Sequence, residues 1–186
     1  KIHVCEKLGY PDEKITEGTP TEIAGMAFEA PNIVIIQKTL PSYPLPQGEG
    51  KGEGACHASE VRFGLKEDEI IHSRGLITKD EVRAVTIHKL SLPQRGVLWD
   101  IGAGSGSVSI EAARLYPELK VVAVEKNEEQ IKNIKENRIK FDTTNIEIIK
   151  GRAPDVLINL PAPDSVFIGG TGGTIKEIIE FVSGKI

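Results

Sequence analysis

The sequence predicts an α/β fold built on a doubly wound parallel sheet, and three observations carry that prediction. From residue 62 onward, short apolar runs suited to strands alternate with amphipathic repeats suited to helices, the pattern of a sheet covered by crossover helices. The runs Val121–Val124 and Val166–Ile168 are apolar at every position, as expected of strands buried on both faces. A glycine-rich turn, Gly102–Gly106, follows one such strand and opens a helix, where doubly wound sheets bind their ligands.

Taken in order, residues 1–40 are moderately polar and end in Ile33-Val34-Ile35-Ile36, which reads as a buried strand. Residues 41–61 hold Pro41, Pro44 and Pro46, then Gly48, Gly50, Gly52 and Gly54 alternating with charged residues. Such a stretch buries too little apolar area to offset its ordering entropy, so it is expected to be a flexible linker and the first site of proteolysis. Thr78-Lys-Asp-Glu81 has the form of a capping box, with Val82 and Val85 starting the apolar face of a helix. Val97–Ile101 is the next strand. Val108, Ala112 and Leu115 recur at helical spacing until Pro117 stops them. After the strand Val121–Val124, Asn127 with Gln130 caps a helix to about Lys140, carrying Ile131 and Ile134. Ile146–Ile149 and Val166–Ile168 are the third and fourth strands, and Ile175, Ile178, Ile179 and Val182 mark the last helix.

Charge is unevenly spread. Residues 1–60 carry 5 Lys+Arg against 9 Asp+Glu, so they hold the whole net charge of −4, and the remainder balances at 18 against 18. A chain without a basic footprint is not expected to bind nucleic acid. Cys5 and Cys56 form no Cys-x-x-Cys or Cys/His cluster, so neither a disulfide framework nor a metal site is expected, and a reducing, cytoplasmic setting fits. The longest apolar run before residue 60, Ile33–Ile36, is far too short to span a bilayer, so no membrane partner is expected.

The chemistry concentrates in Asp100-Ile-Gly102-Ala103-Gly104-Ser105-Gly106. A dinucleotide fingerprint would need glycine at 107, where Ser107 stands. The resulting Gly-x-Gly-x-Gly, with an acid two positions ahead, suits S-adenosyl-L-methionine (SAM). Its amino group seeks a carboxylate, directly or through water, and its carboxylate seeks backbone N–H groups. Asp100 is the candidate for the first and the turn Gly102–Gly106 for the second. Glu125 ends the following strand, where an acid accepts both ribose hydroxyls. Gly151-Arg-Ala153-Pro154 follows the third strand. There Pro154 suits a first helical position and the backbone of Ala153 faces a possible adenine, so helix initiation and ligand contact both explain the motif. Gly169-Gly170-Thr171-Gly172-Gly173, at the carboxyl end of the fourth strand, reads either as exposed backbone N–H groups for a flat or acidic substrate beside the cofactor or as glycines needed for positive-φ turns. No catalytic acid or base stands out.

Together these residues resemble the decarboxylating precorrin-6Y C5,15-methyltransferases, specifically their C-terminal half, the CbiT family. The likeness rests on Gly75-Leu-Ile-Thr-Lys-Asp-Glu-Val-Arg83, Asp100–Gly106, the set at 151–154, and above all Phe167-Ile-Gly-Gly-Thr-Gly-Gly173. Residues 1–40, through Val4-Cys-Glu-Lys-Leu-Gly-Tyr-Pro-Asp-Glu13 and Thr21-Glu-Ile-Ala24, resemble the tail of the CbiE tetrapyrrole methylases. The resemblance implies a class I SAM-methyltransferase domain over 62–186 behind a 41–61 linker and a 1–40 methylase tail. It implies a fused enzyme of cobalamin biosynthesis that methylates a precorrin carbon and removes CO2 from an acetate side chain, homo-oligomeric when intact. It places SAM contacts on Thr78, Gly102–Gly106, Glu125 and Ala153. Arg152 departs from the pattern, since an arginine cannot accept from the adenine amino group. Arg74, Lys79 and Arg83 read either as a solvated helix face or as partners of substrate carboxylates.

Two other readings compete: a class I methyltransferase for protein, RNA or a metabolite, and a module that holds SAM without turning it over. Seven strands are implied for the family's sheet, and residues 97–186 supply four. The fourth is therefore expected to have an open outer edge, with self-association and poor catalysis as results.

Overall fold

The structure, a computed structural model, describes residues 2–7, 11–29, 32–37 and 62–185. The linker expected over 41–61 and residues 8–10 of the N-terminal motif lie outside the described residues.

Two short strands open the chain, β1 (Ile2–Glu6) and β2 (Lys14–Gly18). Between β2 and the strand β3 (Asn32–Gln37) stands a one-turn helix, α1 (Pro20–Ala24). Thr19 and Glu22 form a reciprocal capping box around α1, and Pro20 occupies its first turn, where a missing N–H costs nothing. The α/β part follows as α2 (Asp80–Leu90), β4 (Gly96–Ile101), α3 (Ser107–Leu115), β5 (Leu119–Glu125), α4 (Glu128–Lys140), β6 (Ile146–Lys150), β7 (Ser165–Ile168) and α5 (Ile175–Ser183). The Asn127 side chain accepts from the N–H groups of Glu129 and Gln130, so the predicted cap of α4 is present.

One seven-stranded sheet results, in the order β2-β1-β3-β7-β4-β5-β6. β7, β4, β5 and β6 run parallel, and β1–β3 join antiparallel to one another and to β7. The α/β expectation therefore holds, with the four expected strands parallel and β1–β3 added to them as an antiparallel extension. The open edge expected on the fourth parallel strand does not, because β3 pairs with it, Val34 opposite Ile168, Ile35 opposite Phe167 and Ile36 opposite Val166. The apolar run Ile33–Ile36 lets β3 serve both faces of the sheet at once. This pairing removes the edge on which self-association was expected.

Alternation along the strands divides the core. Ile35, Leu98, Val121, Ala123 and Phe167 pack under α2, α3 and α4 with Ile87, Leu90, Ile110 and Ile134. Val34, Ile36, Trp99, Ile101, Val122, Val124, Val166 and Ile168 pack on the other face with Ile23 of α1 and Ile178, Ile179 and Val182 of α5.

α2 departs from expectation in start and in face. It begins at Asp80, its N-cap is Lys79, and no side chain caps it, so Thr78 has no capping role. Its buried residues are Arg83, Thr86, Ile87 and Leu90, while Val85 is exposed. An arginine within the inward stripe hides the true face from a hydrophobicity count.

Candidate functional site

In the parallel set β4 lies between β5 and β7, so the chain reverses direction of winding at β4 and leaves a crevice at the carboxyl ends of β4 and β7. Two glycine loops meet there. Gly102, with φ +71°, is so close to Gly170 that a Cβ would overlap the Gly170 carbonyl oxygen and lie 2.7 Å from its nitrogen. Gly169 N–H donates to the carbonyl of Ile101, which seats the second loop on the end of β4.

The crossing of these loops separates two depressions. The larger, about 570 Å³, is walled by Gly75–Thr78, Gly102–Gly104, Glu125, Gln130, Phe167, Gly169 and Gly170. The smaller, about 180 Å³, is bounded by Ile101, Gly102, Glu125, Lys126, Gly151–Ala153, Gly170–Gly172 and Ile178. Thr78, Gly102, Ala103, Gly104, Glu125, Ala153, Gly169, Gly170, Thr171 and Gly172 are thus brought together as the sequence suggested.

Four expected residues line neither depression. Asp100 is 1% exposed beneath the turn. Ser105 is buried, and its carbonyl accepts from Asn137 Nδ2 at 3.0 Å. Gly106 is the N-cap of α3, with φ +78° and Ile134 packed against it. Gly173 stands off in the open, with φ +95°. These positions serve the turns rather than their surfaces. Ala153 also differs: its backbone is covered, and its carbonyl accepts from Thr174 Oγ1 at 3.4 Å.

The Glu125 carboxylate is held by backbone donors. Oε2 accepts from Gly104 N–H at 2.9 Å, and Oε1 accepts from the N–H groups of Lys126 and Asn127 at 2.8 and 2.9 Å. Three of about four acceptor positions are engaged, so the group is aimed by its own strand end and by the glycine turn. Among the described residues it is the single side chain carboxylate shared by both depressions.

Asp100 Oδ2 accepts from the N–H of Ser109 at 3.1 Å and its hydroxyl at 2.5 Å. Oδ1 is buried without a hydrogen-bond partner. Burial pushes the Asp100 carboxyl up to about 7; the Ser109 bonds act against this and nearby Glu125 adds to it. Since the fold prefers the protonated acid, the stability this group permits is complete below about pH 4 and is lost as pH rises towards 7. Asp100→Asn is therefore expected to raise unfolding free energy at pH 8 by up to ~4 kcal/mol, three pKa units at 1.36 kcal/mol each. Urea unfolding at pH 4 should show little change, and an equal gain at both pH values would show that ionisation is not the cause.

The three cations weighed as carboxylate partners are engaged elsewhere. Arg83 is 1% exposed and bonds Glu111, Asp80 and the carbonyls of Leu65 and Thr78. Lys79 pairs with Glu67 at 2.9 Å and Arg74 with Glu129 at 3.3 Å.

Sequence reasoning missed the wall Gly75–Ile77, the lining residue Lys126, and a row of buried amides on α4. Gln130, Asn133 and Asn137 lie on its covered face beside Ile131 and Ile134. That row had a readable signal, since amides at helical spacing flank the isoleucine stripe. Among the described residues no helix is long and apolar enough to cross a membrane, and no group of three or more His, Cys, Asp or Glu is placed to hold a metal ion.

Residues 69–184 match the family described as a precorrin methyltransferase domain. The cobalt-precorrin-6B C(15)-methyltransferase (decarboxylating) of Salmonella typhimurium is 42% identical over 110 residues, covering 59% of this chain and 56% of the relative. The precorrin-6Y C(5,15)-methyltransferase [decarboxylating] of a Sinorhizobium species is 39% identical over 119 residues, covering 62% of this chain and 29% of the relative. Among solved structures, the precorrin-6y C5,15-methyltransferase from Geobacter metallireducens GS-15 is 47% identical over 67% of this chain and 66% of that one, with a TM-score of 0.65. The chain thus spans about half the length of the first relative and under a third of the second.

Proposed function

Because the chain belongs to the precorrin methyltransferase domain family, we propose that it carries the SAM-binding part of an enzyme that methylates and decarboxylates a precorrin of the 6Y type in cobalamin biosynthesis. The observation that carries this reading is the meeting of two glycine loops at the sheet's switch point, with Glu125 facing both depressions.

The crevice fits SAM on two counts. Gly102, Gly104, Gly169 and Gly170 wall the larger depression without side chains, and Asp100 Oδ1 is buried without a hydrogen-bond partner. Gly102–Gly104 and Thr78 would hold the methionine end, with Asp100, buried beneath the turn, reaching the amino group through a water. Glu125 would accept from a ribose hydroxyl at its one remaining acceptor position. Gly151–Ala153 would flank the adenine, Arg152 offering only donors. When bound, SAM supplies an activated methyl group on sulfur. What the protein adds is alignment of donor and acceptor and exclusion of water. The glycines of 169–173 would let a flat macrocycle approach the carboxyl end of β7 without side-chain hindrance. That ring system would delocalise the electrons left by CO2 loss.

We further propose the division into a methylase tail at 1–40, a linker at 41–61 and a methyltransferase domain from 62. The antiparallel sense of β1–β3 against the parallel set supports it. Tetrapyrrole is the proposed partner, with no role for nucleic acid. Homo-oligomerisation belongs to the same proposal for the intact protein.

Glu125→Ala is expected to weaken binding of S-adenosylhomocysteine (SAH) by one to two orders of magnitude, since a hydrogen bond to a charged group contributes roughly 1.5–3 kcal/mol. Calorimetry on the folded variant measures this, and unchanged affinity would remove the ribose assignment. Methyl transfer with CO2 release from a precorrin, and none to RNA, is the expected turnover. The reverse preference would overturn the substrate reading.

A further inference from the structure

The wall Gly75–Thr78 forms one side of the larger depression and the glycine turn forms the other. The wall belongs to a segment with little regular structure between the short 3₁₀ turn Glu67–Glu69 and α2. Such a segment has no ladder of its own to hold it at a set distance from the turn. Its position is fixed by side chains, and these converge on the turn.

Asn137, fully buried on α4, makes three bonds. Its Oδ1 accepts from Ile71 N–H at 2.8 Å. Its Nδ2 donates to the Ile71 carbonyl at 2.8 Å and to the Ser105 carbonyl, inside the glycine turn, at 3.0 Å. One amide therefore ties the start of the wall segment to the turn. Asn133 adds a bond from Nδ2 to Ser73 Oγ at 2.9 Å. At the other end, Thr78 N–H donates to Ser107 Oγ at 3.3 Å, just past the turn, and the Thr78 carbonyl accepts from Arg83 at 2.7 Å. Both ends of the wall are thus registered against residues 105–107. Neither Asn137 nor Ser107 lines a depression.

We propose that Asn137 is a positioning residue that sets the gap between the wall and the glycine turn, and thereby the affinity for the cofactor, with Ser107 as its counterpart at the far end. This rests on the SAM reading above. The residue type is demanding. The site needs one acceptor and two donors from a single planar group, which an amide supplies and a carboxylate does not. A preformed gap spares the ligand the entropy of ordering the wall on binding.

The test is calorimetric SAH binding to the full chain, wild type, Asn137→Ala and Ser107→Ala, with amide hydrogen exchange across residues 71–79. Asn137→Ala is expected to weaken SAH about tenfold and Ser107→Ala about threefold, an effect on binding about the size of one neutral hydrogen bond or less. In both, exchange over 71–79 should quicken in the free protein and slow again with SAH. In turnover, KM for SAM should rise more than kcat falls. A lowered unfolding midpoint with unchanged SAH affinity and unchanged exchange over 71–79 would overturn the proposal. Should Asn137→Ala fail to fold, Ser107→Ala decides on the same two readouts. Wild-type chain that binds no SAH would instead overturn the SAM reading, and this inference with it.

Discussion

Replacing Glu111 by alanine is expected to lower the unfolding free energy by about 3–5 kcal/mol, because it removes the buried partner of a buried guanidinium and the acceptor of two backbone N–H groups. Glu111, on α3, is fully buried and accepts from the N–H groups of Gly64 and Leu65, both at 2.9 Å, and from Arg83 Nε at 3.3 Å. Arg83 in turn bonds the carbonyls of Leu65 and Thr78. Without the carboxylate, the half-buried Asp80 is the remaining acid bonded to Arg83, through Oδ1 at 3.2 Å, and two backbone N–H groups lose their acceptor. For a chain of this size the loss corresponds to a melting temperature lower by about 10 °C or more. Thermal and urea unfolding measure it. A change under about 1 kcal/mol would mean that the pair is solvated and not the clamp its geometry describes. The double variant Arg83→Met/Glu111→Leu should recover only part of the loss, since it removes the uncompensated charge but leaves the N–H groups of Gly64 and Leu65 and the carbonyls of Leu65 and Thr78 without their side-chain partners.

Gly102→Ala is expected to reduce SAH affinity by at least about a hundredfold and to lower stability by about 2–4 kcal/mol. The new Cβ would overlap the Gly170 carbonyl oxygen and sit 2.7 Å from its nitrogen and 2.9 Å from its carbonyl carbon. All three atoms are backbone, so no rotamer change relieves the clash and one loop must move. The φ of +71° adds strain for any residue with a side chain. Gly104→Ala separates the two causes. Its φ is +57°, yet the nearest atom to a Cβ is the Leu76 carbonyl oxygen at 3.9 Å, so conformational strain of about 1 kcal/mol is all that is expected there. Calorimetry on both variants checks the contrast. Similar losses at the two positions would assign the effect to the turn's backbone and not to contact between loops.

The contrast between these two glycines shows where sequence reasoning stops. Both belong to one motif, and both need positive φ. Only the approach of Gly170, 68 residues later and just past β7, makes Gly102 the tighter position. Asp100 shows the same thing. Its place two residues before Gly102 marks it as a candidate acid, whereas its burial, its bonds to Ser109 and its raised pKa come from α3 packing over the strand end. Arg83 looked like a surface cation because one sequence cannot reveal that its partner is Glu111, 28 positions away.

What the sequence determined by itself was local or periodic. Strands apolar at each position, helices with an isoleucine stripe, the Asn127 cap and the strand–turn–helix around Gly102 are written in residues a few positions apart, and backbone sterics and burial read them directly. Tertiary structure alone decided the partners. It set β3 antiparallel on β7, turned α2 so that Arg83 faces inward, and tied the wall at 75–78 to the glycine turn through Asn137 and Ser107. The physical reason is that long-range pairing depends on which complementary surface is left to cover once the rest has packed. An apolar run such as Ile33–Ile36 states only that it will be buried, not against what.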